Sequence, residues 1–168
     1  NVKWGQRKRF ADGKVSLPYK KFLGYEKGED GRPAIVESEA ASVRMIYRLF
    51  MEGITPSAIA KRLMEAGILT PGGKTVWQVS TVKSILTNEK YRGDAVLQKS
   101  CTVDFLTKKK KANEGEVPKY FVENSHDAII DPVAFDAVQA ELERRKKLGR
   151  PSACNSPLSA RIVCGDCG

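Results

Sequence analysis

Gln78, Ser80, Thr81, Lys83, Ser84 and Thr87 stand close together in the chain, and their types limit what they can do. At about 100° per residue, a helix beginning after Trp77 sets Ser80, Lys83, Ser84 and Thr87 on one side, with Thr81 on its flank. Val79, Val82, Ile85 and Leu86 fall on the opposite side. Short hydroxyls and one lysine can come close to the floor of a groove, and no carboxylate is present to repel phosphate. The ordinary alternative is an amphipathic helix whose outer face is simply solvated. A second group with chemical potential is Cys164-Gly165-Asp166-Cys167. A Cys-x-x-Cys knuckle with glycines lets two thiolates share a Zn²⁺, but a structural zinc takes four ligands. Cys101 and Cys154 supply no matching second knuckle, so Cys164 and Cys167 read as half a site. Nowhere do a base, a nucleophile and an electrophilic group converge.

The elements that position the polar face are legible from their caps. Thr55 is a candidate N-cap and Pro56 fits the first helical position. Ile59 and Leu63 share a face of the helix that follows, and Gly67 supplies its stop. The pair of helices reads as a helix-turn-helix whose second member reads DNA, although residues 67–77 make a longer connection than the usual turn of ~3–4 residues. Upstream, Glu37–Glu52 carries Val43, Ile46, Tyr47 and Phe50 at helical spacing, and Gly53 ends it.

Glu29-Asp30-Gly31-Arg32-Pro33 is a turn. After Gly93 the period changes to two: Ala95, Leu97, Cys101, Val103 and Phe105 alternate with polar residues, predicting one half-buried strand or two short ones. Cys101 then falls on the apolar side. Tyr120–Glu123 reads as the partner strand. A last helix begins at Asp131 (cap) and Pro132, with Ile130 and Phe135 as a hydrophobic staple. Phe135, Val138 and Leu142 continue its apolar face, and Glu141–Arg145 and Glu143–Lys147 are predicted i,i+4 pairs. Residues 151–160 are a Ser/Pro-rich linker. The expected fold is α+β: a helix-turn-helix-like helical subdomain, a small antiparallel sheet and a C-terminal helix.

Charge points to a polyanionic partner. The chain has 168 residues and a net charge of +9. The excess is local: +6 over residues 1–25 and +7 over residues 53–111, against −2 in each of 26–52 and 112–168. Counterion release makes nucleic acid the default partner of such a field. An anionic membrane fits less well, because no helix joins a basic face to a broad Trp/Phe/Leu face. No apolar run approaches the ~20 residues of a membrane span. Four cysteines without a signal-peptide pattern suggest a reducing, cytoplasmic setting without disulfides. Arg7, Lys8 and Arg9 read equally as the basic end of a helix or as an arm along phosphates. The lysine run at 108–111 is either solvated or a phosphate contact.

Together these residues resemble the large serine recombinases, the site-specific recombinases of transposase and phage-integrase type. The resemblance rests on Gly24-Tyr25, on Arg44-Met45-Ile46-Tyr47-Arg48-Leu49-Phe50 and on Ile59-Ala60-Lys61-Arg62-Leu63. It continues through Gly67, Pro71-Gly72-Gly73, Trp77, Thr81-Val82 and Ile85 to Gly93. His126, Ala128-Ile129-Ile130, Phe135 and Pro157-Leu158-Ser159 follow, and then Cys164 to Gly168.

The resemblance implies a DNA-binding "recombinase" domain over residues 24–150. A basic arm over 1–23 would lead from a catalytic serine domain, and 151–168 would open a truncated zinc ribbon. Asn1 in place of Met fits that expectation of a longer parent. The parent would bind Zn²⁺, integrate or excise mobile DNA, and act as a dimer or tetramer at a double-stranded attachment site. The 168-residue chain itself would be non-catalytic, monomeric and without a cofactor, since no serine sits in a stretch resembling the nucleophile motif. Expected base contacts are Gln78, Ser80, Thr81, Lys83 and Ser84. Expected phosphate contacts are Arg7, Lys8, Arg9, Lys20, Lys21, Lys74, Lys90 and Arg92, which position without specifying. His126 reads as structural. The competing reading is a helix-turn-helix transcription regulator.

Overall fold

The computed structural model describes residue 8 and residues 19–29, 31–102 and 110–147. Its centre is helix α1 (Glu37–Met51), whose Ala40, Val43, Ile46, Tyr47 and Phe50 are all buried. Against it pack α2 (Pro56–Glu65), through Ile59, Ala60 and Leu63, and α3 (Val79–Leu86), through Val82, Ile85 and Leu86. Helix α4 (Pro132–Lys147) closes the core with Phe135 and Val138.

The caps explain why these helices start and stop where they do. Thr55 accepts from the Ala58 N–H at 3.3 Å, and Pro56 occupies the first turn of α2. Asp131 accepts from Val133 N–H at 2.9 Å and Ala134 N–H at 3.3 Å, opening α4. Ile130 and Phe135 are both buried beside that cap, as a staple requires. Arg145 joins α4 to α1. It bonds Glu141 at 2.7 Å, donates to the Phe50 carbonyl at 3.3 Å, and lies 4.2 Å from the Phe50 ring centroid. The expected Glu143–Lys147 pair is replaced by Glu143–Lys146 at 4.0 Å, one position nearer along the helix.

Among the described residues there are three two-stranded antiparallel sheets. β1 (Tyr25–Lys27) and β2 (Pro33–Ile35) flank the predicted turn and form a hairpin that periodicity alone did not indicate. β3 (Ala95–Leu97) pairs with β6 (Tyr120–Val122), as expected. The strand region expected after Gly93 as one strand or two short ones is two, divided at Gln98, whose φ of 64° is left-handed. The chain then resumes as β4 (Ser100–Thr102), which pairs with β5 (Lys110–Ala112) and not with β6. Side-chain positions for Cys101 and for the predicted Val103 and Phe105 lie outside the described residues.

Three aromatic rings tie the first hairpin to the helical core. Phe22 stacks on Tyr25 (centroids 5.2 Å apart) and on Tyr91 (5.1 Å). Tyr25 donates its hydroxyl to the Asp127 carbonyl at 2.7 Å and accepts from Ile129 N–H at 3.2 Å. Tyr91 donates to the Leu23 carbonyl at 3.1 Å. Burial pushes both hydroxyls well above the ordinary tyrosine range, so both remain protonated donors.

Candidate nucleic-acid interface

Helix α3 is only two turns long, and an isolated helix of that length does not hold in water. Tertiary bonds hold it at both ends. At its C-terminal end the Tyr47 hydroxyl donates to the Ile85 carbonyl at 2.9 Å, and Gln139 Nε2 donates to the Leu86 carbonyl at 2.7 Å. Two carbonyls that the helix leaves without intrahelical partners are thus satisfied from α1 and α4. Just before its N-terminus, Trp77 is buried and its indole N–H donates to the Ile68 carbonyl at 2.7 Å. The connection between α2 and α3 is therefore long but ordered. Thr70 N–H donates to the Lys74 carbonyl at 2.8 Å, and Lys74 N–H to Thr70 Oγ1 at 2.9 Å, closing a turn around Pro71-Gly72-Gly73.

These supports leave the outer face of α3 clear. Gln78, Ser80, Lys83, Ser84 and Thr87 are exposed, and Thr81 is half-buried on the flank. Val79, expected on the apolar side, is 39% exposed instead. It is the first residue of α3, ahead of the buried Val82, Ile85 and Leu86. Thr87 folds back, donating to the Lys83 carbonyl at 2.9 Å. No side chain caps the N-terminus of α3, and no acidic residue stands in its first turn. Its leading N–H groups retain hydrogen-bonding capacity at the positive end of the helix dipole.

The predicted cations divide into two groups. Among the described residues, Lys21, Lys74 and Lys83 are exposed and have no carboxylate within ion-pair distance. Lys21 ends a 3-10 turn (Tyr19–Lys21) that also carries Lys20. Arg92 is engaged by Asp94 at 3.2 Å and Asp136 at 2.8 Å, so its guanidinium braces the fold. Lys90 is half-buried, with Nζ 5.8 Å from the Phe22 centroid, and burial pulls its pKa below the ordinary lysine value. In the lysine run, Lys111 pairs with both Glu114 and Glu116. Lys8 is helical and exposed. Arg7, Arg9, Cys164 and Cys167 lie outside the described residues. Among the described residues, no cluster of three His, Cys, Asp or Glu side chains is placed to hold a metal.

His126 is structural in its contacts. Nε2 lies 2.7 Å from the Lys90 carbonyl, which can only accept, so the proton sits there and Nδ1 faces Ser125 Oγ at 2.7 Å. Burial, opposed by that bond to Lys90, lowers its pKa.

A groove of about 310 Å³ runs beside α3. It brings Ser80, Thr81 and Ser84 together with Lys21, which is distant in sequence. Sequence reasoning missed Asn88, on the same rim. Its spacing of four from Ser84 continues the polar face one turn beyond the helix, and that was the available signal. Phe22 and Tyr91 contribute to the floor.

With this geometry in place, comparison with known proteins assigns the class. The family model named Recombinase matches residues 37–145. The chain belongs to the Recombinase family, within the large serine recombinases. It is 29% identical over 160 residues to the protein called "Putative DNA recombinase" in Bacillus subtilis (strain 168), a match covering 88% of this chain and 32% of that one. A solved structure of a large serine recombinase–DNA complex superposes with a TM-score of 0.61 at 26% identity, covering 99% of this chain and 45% of that one. Another, from work on the sequence requirements of the Listeria innocua prophage attP site, matches in fold with a TM-score of 0.61 at 24% identity, covering 91% of this chain and 57% of that one. The chain thus spans about a third of the curated relative and about half of each solved structure. Among the described residues, no helix is long and apolar enough to cross a membrane.

Proposed function

We propose that this chain is the attachment-site-binding module of a site-specific DNA recombinase, with strand exchange carried out by a catalytic serine domain elsewhere in the parent. Helix α3 enters the major groove in the manner of a helix-turn-helix, with Gln78, Ser80 and Lys83 toward base edges. Lys21 and Lys74 lie toward the phosphates on either side. The observation that carries this reading is the carboxylate-free outer face of α3, bordered by cations that no acidic neighbour among the described residues neutralises. Support also comes from the related solved structure, which is a DNA complex.

The test is a titration of labelled duplex, carrying the host element's junction sequence, at several salt concentrations. Roughly six phosphate contacts predict a log–log slope near −5. Lys83→Ala should weaken the preferred duplex far more than random duplex. A flat salt response rejects DNA binding, and equal losses on both duplexes reject sequence reading by α3.

A further inference from the structure

We infer that the groove between α3 and the Tyr19–Lys21 turn seats one backbone phosphate of the bound duplex, with Lys21, Ser84 and Asn88 as its ligands; the inference rests on the DNA-binding role proposed above. The polar lining of this groove is an ammonium at Lys21, hydroxyls at Ser80, Thr81 and Ser84, and an amide at Asn88, with Pro71 beside them. No carboxylate lines it. Asn88 Oδ1 accepts from Lys90 N–H at 3.4 Å, while its NH₂ has no partner among the described residues. The floor is apolar, from Phe22, Ile85 and Tyr91. Donors at the rim over an apolar floor match a phosphodiester with its sugar: the anion takes the hydrogen bonds and the deoxyribose covers the carbon surface.

The groove is also built in advance. Phe22 stacks on Tyr91, and Tyr91 donates to the Leu23 carbonyl at 3.1 Å, fixing the Lys21 turn against the end of α3. At about 310 Å³ it has room for one nucleotide backbone unit. Lys83 does not line it. Helix α3 therefore has two edges with separate duties. Lys83 lies on the other edge, the reading edge, away from the groove. Ser84 and Asn88 hold the strand, so Ser84 sets register and does not select sequence.

The experiment uses the 168-residue chain, a duplex enriched by it from a randomised pool, and unselected duplex of equal length. Asn88→Asp keeps the Oδ1 acceptor and the side-chain shape but replaces the NH₂ with an anionic oxygen. It should weaken both duplexes by tenfold or more and equally, with an unchanged melting temperature. Lys21→Gln should lower the log–log salt slope by about 0.9. Scanning the enriched duplex with single methylphosphonates should find one position that weakens the wild-type chain and makes Lys21→Gln and Asn88→Asp silent.

A loss confined to the enriched duplex would mean that Asn88 reads a base, and would overturn the seat. So would a scan in which no position silences Lys21→Gln, an arm that holds even if Asn88→Asp fails to fold. In both cases salt-dependent duplex binding by the wild-type chain leaves the proposed function standing. Its absence removes both.

Discussion

The Tyr47 hydroxyl donates to the Ile85 carbonyl at 2.9 Å, linking the middle of the central helix to the last turn of the helix that carries the polar face. Burial raises the Tyr47 pKa far above the ordinary phenol value, so the hydroxyl keeps its proton and donates at neutral pH. Tyr47→Phe keeps the ring and removes this bond, leaving the Ile85 carbonyl to the Asn88 N–H at 3.3 Å, which costs about 0.5–1.5 kcal/mol. Thermal melting should fall by several degrees, at about 2–4 °C per kcal/mol for a chain of this size. Gln139→Leu removes the neighbouring bond to Leu86, and the double variant should show non-additive loss because both bonds hold one helix end.

Placing a carboxylate on the outer face of α3 tests the electrostatic argument without touching the core. Ser80→Glu is exposed and should alter stability by no more than about 0.5 kcal/mol in chemical denaturation. The same substitution should abolish duplex binding measured by fluorescence anisotropy. Retained binding would show that this face is solvated and nothing more.

Two glycines separate backbone strain from steric collision. Gly93 has φ of 94°, and a Cβ there would lie 2.8 Å from the His126 carbonyl oxygen, a backbone atom. Gly67 has φ of 67°, and its Cβ would meet open space. Gly67→Ala should therefore cost about 1 kcal/mol, the strain alone. Gly93→Ala should cost more, because the loop bearing His126 must also move. Urea midpoints of the two variants give the ranking.

Acid should destabilise the domain in two windows. The His126 pKa is lowered by burial, so the folded state prefers the neutral ring. Its contribution is complete above the ordinary value of 6.5 and is lost as pH falls through the lowered value. Glu141 is held down to about 2, chiefly by its bond to Arg144 and also by Arg145. That contribution is complete above 4.5 and fades as pH falls toward 2. Stability against pH, measured by urea titration, should flatten in the upper window for His126→Gln and in the lower window for Glu141→Gln.

Local signals made much of this fold readable in the sequence. Thr55-Pro56 and Asp131-Pro132 announced their helices because capping chemistry lies within a few residues of the helix it starts. Val43, Ile46, Tyr47 and Phe50 announced α1 because burial repeats at the helical period. Partners far apart in the chain are not legible in this way. The pairing of Arg92 with Asp136, on another helix, has no signal in the sequence around either residue. Nothing in the neighbourhood of Lys90 predicts Phe22 beneath it. The strand after Gly93 kept its alternation on paper, yet Gln98 turns left-handed and sends β4 to a different partner. The groove was illegible for the same reason: one wall comes from residues 21–22 and the other from residues 80–91.

The Trp77 indole, bonded to the Ile68 carbonyl, has a mechanical corollary. With one end of the two-turn cylinder latched there and the other gripped by Tyr47 and Gln139, it has no slack with which to follow a curved or underwound target. In the proposed DNA-binding role, any mismatch in shape would be absorbed by the double helix. Sites rich in easily bent pyrimidine–purine steps should then be favoured at positions that no side chain touches.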